Sequence, residues 1–89
     1  MKLSNRLSMV ASLVDVKARV IDIGCDHAYL DIYLTLYNEN NCIAIDVVED
    51  AVKQAKKNIS KYNLEKKIKV KLNDGINGID IKEDDNIVI

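Results

Sequence analysis

Apolar residues recur along this chain at two different periods, and the switches between them outline the elements. Leu3, Leu7, Val10 and Val14 are spaced three and four residues apart, which places them on one stripe of a helix. Ser4 can accept a backbone N–H as an N-cap, so a short amphipathic helix is predicted, ending near Asp15–Lys17. Arg19–Ile23 (RVIDI) is a β-branched run halted by Gly24, the form of a buried strand. Gly24–Ala28 then reads as a tight turn and Tyr29–Tyr37 as a helix, broken by the polar residues Asn38–Asn41. Cys42–Asp46 (CIAID) repeats the first strand's form, an apolar run closed by a carboxylate. Val48, Val52, Ala55, Ile59 and Tyr62 trace one stripe of a helix over Glu49–Tyr62 with lysines on the other face, and Asn63 is its candidate C-cap. Ile68–Leu72 (IKVKL) alternates as a strand, Asn73–Gly78 is a loop, and Ile87–Ile89 opens another apolar run.

The order is a helix, then β-α-β-α-β-loop-β, with helices long enough to cross over between parallel strands. This predicts an α/β fold: a doubly wound, mostly parallel open sheet preceded by a short helix. A parallel strand of three apolar residues would leave an unprotected edge. Residues 1–89 are therefore expected to form a partial domain, truncated in its fourth strand. With 89 residues, 48% hydrophobic and 30% charged, there is room for one core, of marginal stability.

Charge changes the picture little in total and more in its distribution. The net charge is −1, but eight of the thirteen basic residues, Lys53, Lys56, Lys57, Lys61, Lys66, Lys67, Lys69 and Lys71, share a stretch with only Glu65 as an acid. That stretch is either a solvated helix face or a surface for RNA phosphates. Cys25 and Cys42 form no CxxC pair and have no histidine cluster beside them, so they read as reduced, buried thiols suited to the cytosol, and no metal site is expected. The N-terminus has no apolar signal core, and no apolar run approaches the roughly 20 residues of a membrane span. A cytoplasmic chain with no membrane partner is the expectation.

In doubly wound sheets a ligand binds beyond the carboxyl ends of the strands, where the winding reverses. Three such ends carry suitable chemistry. Asp22-Ile23-Gly24-Cys25-Asp26-His27-Ala28 puts a glycine directly after a strand and before a helix N-terminus, where the backbone can pass closely under a ligand. Asp46 follows Gly24 by 22 positions, the spacing at which a carboxylate on the neighbouring strand tip accepts ribose hydroxyls; capping the next helix is its structural alternative. Asn73-Asp74-Gly75 ends the third strand, and Asp74 can receive an adenine amino group there, although an ordinary turn has the same sequence. An adenosine needs a turn, a ribose acceptor and an amino acceptor in this order.

The segment DIGCDHAYL (Asp22–Leu30), Arg6-Leu7 upstream, Ala44–Asp46, Asn73-Asp74-Gly75 and the terminal Ile87-Val88-Ile89 together resemble the bacterial tRNA (adenine-22-N1)-methyltransferase family. Asp26–Leu30 is the specific part; the glycine and carboxylates are shared by class I methyltransferases. The resemblance covers essentially the whole chain and implies the N-terminal portion of a Rossmann-like class I methyltransferase, with S-adenosylmethionine as cofactor and tRNA as substrate. It assigns Asp22 and Gly24 to the turn under the methionine end of the cofactor, and Asp46, with Val47 beside it, to the ribose. Asn73, Asp74 and Gly75 fall to the adenine. Asp26 and His27 stand where many methyltransferases have a second glycine region, so the backbone there is expected to approach the cofactor less closely, a side chain making the contact. Asp31 and Glu49-Asp50 replace the Pro and Gly-Pro of the family pattern, and a glycine-rich segment is expected after the fourth strand.

His27 is either an acid/base group beside the cofactor or a local capping residue, and Arg6 either an RNA contact or a solvated arginine. Tyr29, Tyr33 and Tyr37 share one helix face and are expected to pack against the sheet. The cofactor's methyl group is already activated, so positioning and exclusion of water fall to the protein, no general base is required, and the target base must leave its stack. Two other readings stand beside this one: a non-catalytic module that binds S-adenosylmethionine or RNA, and an NAD-dependent oxidoreductase fragment, against which the missing later glycines and the Asp74 loop both count.

Overall fold

The computed structural model describes residues 1–89 and contains α1 (Asn5–Ser12), β1 (Arg19–Ile23), α2 (Tyr29–Asn38), β2 (Asn41–Asp46), α3 (Glu49–Lys61), β3 (Ile68–Leu72) and β4 (Asn86–Val88) in chain order. Ser4 caps α1 as predicted, its hydroxyl accepting the Leu7 N–H at 3.2 Å, an interaction worth about 1 kcal/mol. The helix stops at Ser12, short of the predicted Asp15–Lys17. The reason lies in competing partners: the Ser12 hydroxyl donates back to the Met9 carbonyl at 2.6 Å, and the Asp15 N–H is taken by Asn86 Oδ1 at 2.8 Å. The segment after α1 thus straps the chain to β4.

At the far end of α3, Asn63 lies one residue beyond the cap residue Tyr62, with φ 57°. The Leu64 N–H bonds to the Ile59 carbonyl at 3.2 Å and the Asn63 N–H to the Ser60 carbonyl at 3.1 Å. Leu64 and Ile59 are both buried, which completes a Schellman closure with its hydrophobic contact.

All four strands are parallel, in the order β3-β2-β1-β4. The chain builds outward from β1 to β2 and β3, then returns to the other side of β1, so the winding reverses between β1 and β4. Registry places Ile23 opposite Ile45 and Asp46 opposite Leu72, aligning the three predicted strand ends along one edge. α2 and α3 pack on each other and over β2 and β3. Val20, Ile21, Ile32, Leu34, Ile45 and Ile59 are fully buried, each contributing roughly 1.5–3 kcal/mol relative to exposure.

Of the tyrosine stripe only Tyr33 packs against the core, and it is half-buried. Tyr29 and Tyr37 are 47% and 59% exposed, while Leu30, Asp31, Leu34 and Thr35 are the buried side of α2. Tyr33 and Tyr37, with ring centres 5.0 Å apart, lie instead beside Ser8, Ala11 and Ser12 of α1. Burying a phenol against the sheet requires a partner for its hydroxyl, whereas leucine requires none.

Two polar ties fix the connections. Asn40, 1% exposed, donates to the Asp15 and Ala18 carbonyls at 2.9 and 2.7 Å. Arg19 grips Asp85 through Nε (3.0 Å) and Nη2 (2.6 Å) and also bonds the Asp80 carbonyl at 2.7 Å, pinning the long β3–β4 connection beneath the amino end of β1.

Candidate functional site

At the carboxyl end of β1 the chain turns at Gly24, with φ 79°. A Cβ here would meet no atom within 4 Å, so the requirement is for left-handed backbone rather than for space. The N–H groups of Gly24 and Cys25 both donate to the Ile45 carbonyl, at 2.8 and 2.9 Å, strapping the turn to β2. Asp26 and Ala28 also take positive φ, 52° and 63°. The loop thus keeps glycine-like dihedrals with ordinary residues where a second glycine region was expected to be missing. Asn58 of α3, 5% exposed, supports it by donating to the His27 carbonyl at 2.9 Å.

Asp46 joins the two loops above the sheet. Its Oδ2 accepts the Asp26 N–H at 2.9 Å and its Oδ1 the Val48 N–H at 3.0 Å. Val48, not Asp46, occupies the N-cap of α3 and makes no side-chain cap. An ionised carboxylate offers about four lone-pair sites, so Asp46 keeps capacity for further donors. From β3, the Asn73 N–H bonds the Asp46 carbonyl at 3.0 Å, and the Asn73 amide donates to the Gly75 and Asn77 carbonyls at 2.9 and 2.8 Å. Asp74 is thereby presented with its carboxylate exposed and engaged in no hydrogen bond.

Every candidate cofactor residue, and Arg6 with them, lies in one of two adjoining clefts. Gly24, Asp46, Val47, Asn73, Asp74 and Gly75 line one of about 300 Å³. Arg6, Asp22, Gly24, Asp26 and His27 line the other, about 350 Å³, which reaches Val88 and Ile89. Gly24 belongs to both, so the two form a trough along the carboxyl edge, crossing the switch between β1 and β4 where ligands of such sheets bind. The 300 Å³ arm offers acceptors at two strand tips and the apolar Val47 between them, a chemistry that fits the hydroxyls, amino group and ring of a nucleoside. His27 is 45% exposed, edge-on to Tyr29 at 5.8 Å, with Nε2 3.7 Å from Asp26. Arg6 forms no ion pair. No three histidine, cysteine or acidic side chains are grouped to hold a metal ion, and no helix is long and apolar enough to cross a membrane.

Beneath the second cleft the electrostatics depart from ordinary values. Burial raises the Asp22 carboxyl, with the Asp46 charge adding and a bond from Asp31 opposing. Asp31 is 0% exposed, and its carboxyl stands well above the usual range, first through burial and then through Asp22. The field of the α2 N-terminus, worth about 0.3–1 kcal/mol, favours its anion but is outweighed by desolvation of several kcal/mol. Burial also pushes the Cys25 and Cys42 thiols upward; both are free and buried, as the sequence suggested.

Residues 3–89 match the methyltransferase domain family. The chain belongs to that family. It is 37% identical over 90 residues to the tRNA (adenine(22)-N(1))-methyltransferase of Bacillus subtilis, covering all of this chain and 38% of that one. Its fold is similar to that of M. capricolum TrmK, solved with S-adenosyl-homocysteine, at TM-score 0.84 and 37% identity over 93% of this chain and 37% of the other. It is also similar, at TM-score 0.82 and 39% identity over 89% of this chain and 37% of the other, to a Streptococcus pneumoniae protein described as a tRNA (m1A22) methyltransferase and solved with S-adenosyl-L-methionine. This methyltransferase-family chain thus spans under two-fifths of the relatives it matches.

Two residues that shape the site, Asn58 and Asp31, are not among the sequence candidates, the second being marked only as standing in place of a proline. Asn58 follows Ala55 by three positions and precedes Ile59, a spacing that puts it on the buried stripe of α3 and could have marked it. Asp31 follows the hydrophobic Leu30 directly and precedes Leu34 by three, but an acid in a first helical turn reads by default as a solvated dipole partner.

Proposed function

We propose that this chain forms the S-adenosylmethionine-binding part, residues 1–89, of a cytoplasmic methyltransferase that modifies N1 of an adenine in tRNA. The observation that carries the reading is the convergence of Gly24, Asp46 and Asp74 on one edge of a parallel sheet, in a trough that crosses its switch point. Likeness to proteins named for this reaction and solved with S-adenosyl-homocysteine or S-adenosyl-L-methionine supports it. When bound, the cofactor supplies an electrophilic methyl group for in-line attack by the ring nitrogen. The residues here bind and orient: Asp46 accepts the ribose hydroxyls with the lone pairs its two backbone donors leave free, Asp74 receives the adenine amino group, and Val47, Asn73 and Gly75 border the ring. Asp22, Gly24, Asp26 and His27, which line the second cleft together with Arg6, would hold the methionine end, and Arg6 would meet an RNA phosphate. No group of this chain has to move a proton for the transfer.

Calorimetric titration tests the reading. S-adenosyl-homocysteine and S-adenosylmethionine should bind and NAD should not, and Asp46→Ala should weaken binding about tenfold or more, as expected for losing one to two hydrogen bonds to a charged group. Binding of NAD in preference to S-adenosyl-homocysteine would overturn it. The other reading is a module that binds cofactor without turnover. Assays of tRNA methylation on this chain and on a version extended to the relatives' length separate the two: the extended version should methylate, and a chain that binds cofactor while neither version methylates is a module.

A further inference from the structure

Behind the cofactor trough sit two carboxyl groups with no base to balance them. Asp22 of β1 lines the 350 Å³ cleft and is 5% exposed; Asp31, in the first turn of α2, is fully enclosed. No donor reaches either carboxyl oxygen of Asp31, and neither aspartate takes part in any ion pair. The groups facing the pair are acidic or neutral: Asp46 toward Asp22, and the thiols of Cys25 and Cys42 toward both. Cys42 Sγ is within reach of the Asp31 main-chain carbonyl (3.8 Å) and the Thr35 hydroxyl (3.7 Å), and Asp26 faces Cys25. Arg6, the cation on the same cleft, pairs with none of them.

Two ionised carboxylates only accept; a contact between them becomes a hydrogen bond when one proton sits between. We propose that Asp31 is a positioning residue: a neutral acid whose O–H donates to Asp22 and holds that carboxylate toward the cleft, where it receives the ammonium group at the amino-acid end of the cofactor. This rests on the cofactor reading above. Asp31 is enclosed without a donor while Asp22 lines the cleft, which assigns the proton to Asp31 and the anion to the cleft side. Burial raises both groups, the bond and charge of Asp22 raise Asp31 further, and the bond from Asp31 lowers Asp22. The Asp22–Asp31 pair then carries one negative charge rather than two.

Infrared spectroscopy of the 89-residue chain, paired with S-adenosyl-homocysteine titration, tests the assignment. The wild type should show a neutral carboxyl band at pH 7 that vanishes in Asp31→Asn. That variant, whose amide N–H replaces the O–H, should bind within about threefold of the wild type, whereas Asp31→Leu, which has no donor, should bind at least about tenfold more weakly with its circular dichroism unchanged. If Asp31→Leu does not fold, the band and Asp31→Asn decide. A chain that binds S-adenosyl-homocysteine but lacks the band, or an Asp31→Leu variant that binds like the wild type, overturns the role of Asp31 and leaves the cofactor reading standing. A chain that shows the band but binds no S-adenosyl-homocysteine overturns the cofactor reading and leaves the shared proton standing.

Discussion

Asp26 and Ala28 show how a single residue can bear strain for a site. Both hold positive φ in the turn after β1, a region that costs an L-residue roughly 1–2 kcal/mol, less for aspartate. Ala28 is fully buried, so its methyl group recovers packing energy. The Asp26 side chain is 80% exposed and recovers little, while its N–H still reaches Asp46. Asp26→Gly should keep that bond and raise stability by up to about 1 kcal/mol, and Asp26→Val, branched at Cβ, should lower it by about 1–2 kcal/mol. Urea denaturation of the two variants checks the pair of signs. Cys25 illustrates the converse, a reactive group silenced by its surroundings. Burial and the nearby carboxylates keep its thiol and that of Cys42 protonated, so neither should react with a thiol reagent in the native chain at pH 8, and both should react once urea unfolds it.

Between elements, polar ties decide where the loops rest. Asn58 carries the position of α3 to the β1–α2 loop through its bond to the His27 carbonyl. Asn58→Ala leaves that carbonyl unpaired, and unfolding should become easier by about 1–3 kcal/mol, with amide exchange quickening at His27–Tyr29 before it does in β1. The elements themselves were legible in the sequence because period and punctuation agree: β1 and β3 match their predicted bounds and β2 and α3 differ by a residue at one end. The parallel order followed from helices too long for hairpins, and with it the common edge for Gly24, Asp46 and Asp74. Less legible was anything that depends on which face of an element is covered. The four-residue spacing of Tyr29, Tyr33 and Tyr37 marks a shared face without saying that it turns toward α1. In the same way α2 turns Asp31 inward, although nothing in its local pattern says that an acid there faces the core. Such choices are settled by neighbours distant in sequence, here Asp22 and Cys42.

For the whole molecule these local settings combine into a dependence of stability on pH whose sign can be worked out. Asp22 and Asp31 have raised values in the folded chain, so above their ordinary value near 4 the folded state holds protons that the unfolded state has released. Stability from this pair is complete below that value and is lost as pH rises through the folded values. Asp85 acts oppositely: its bond from Arg19, reinforced by the Lys82 N–H, lowers its value, so its contribution is present above the ordinary value and lost as pH falls through the folded one. The two trends leave a maximum in mildly acidic solution and a decline toward the alkaline side. Asp31→Asn removes the more strongly raised titrating group and keeps a donor for Asp22. Its stability should therefore match the wild type's pH trend near pH 4 and fall less steeply toward pH 8, as followed by urea midpoints across that range. Arg19→Ala should instead lose stability above pH 5 and converge with the wild type in acid. Parallel curves for wild type and Asp31→Asn from pH 4 to 8 would mean that the enclosed carboxyl ionises freely, contrary to what its burial without a donor requires.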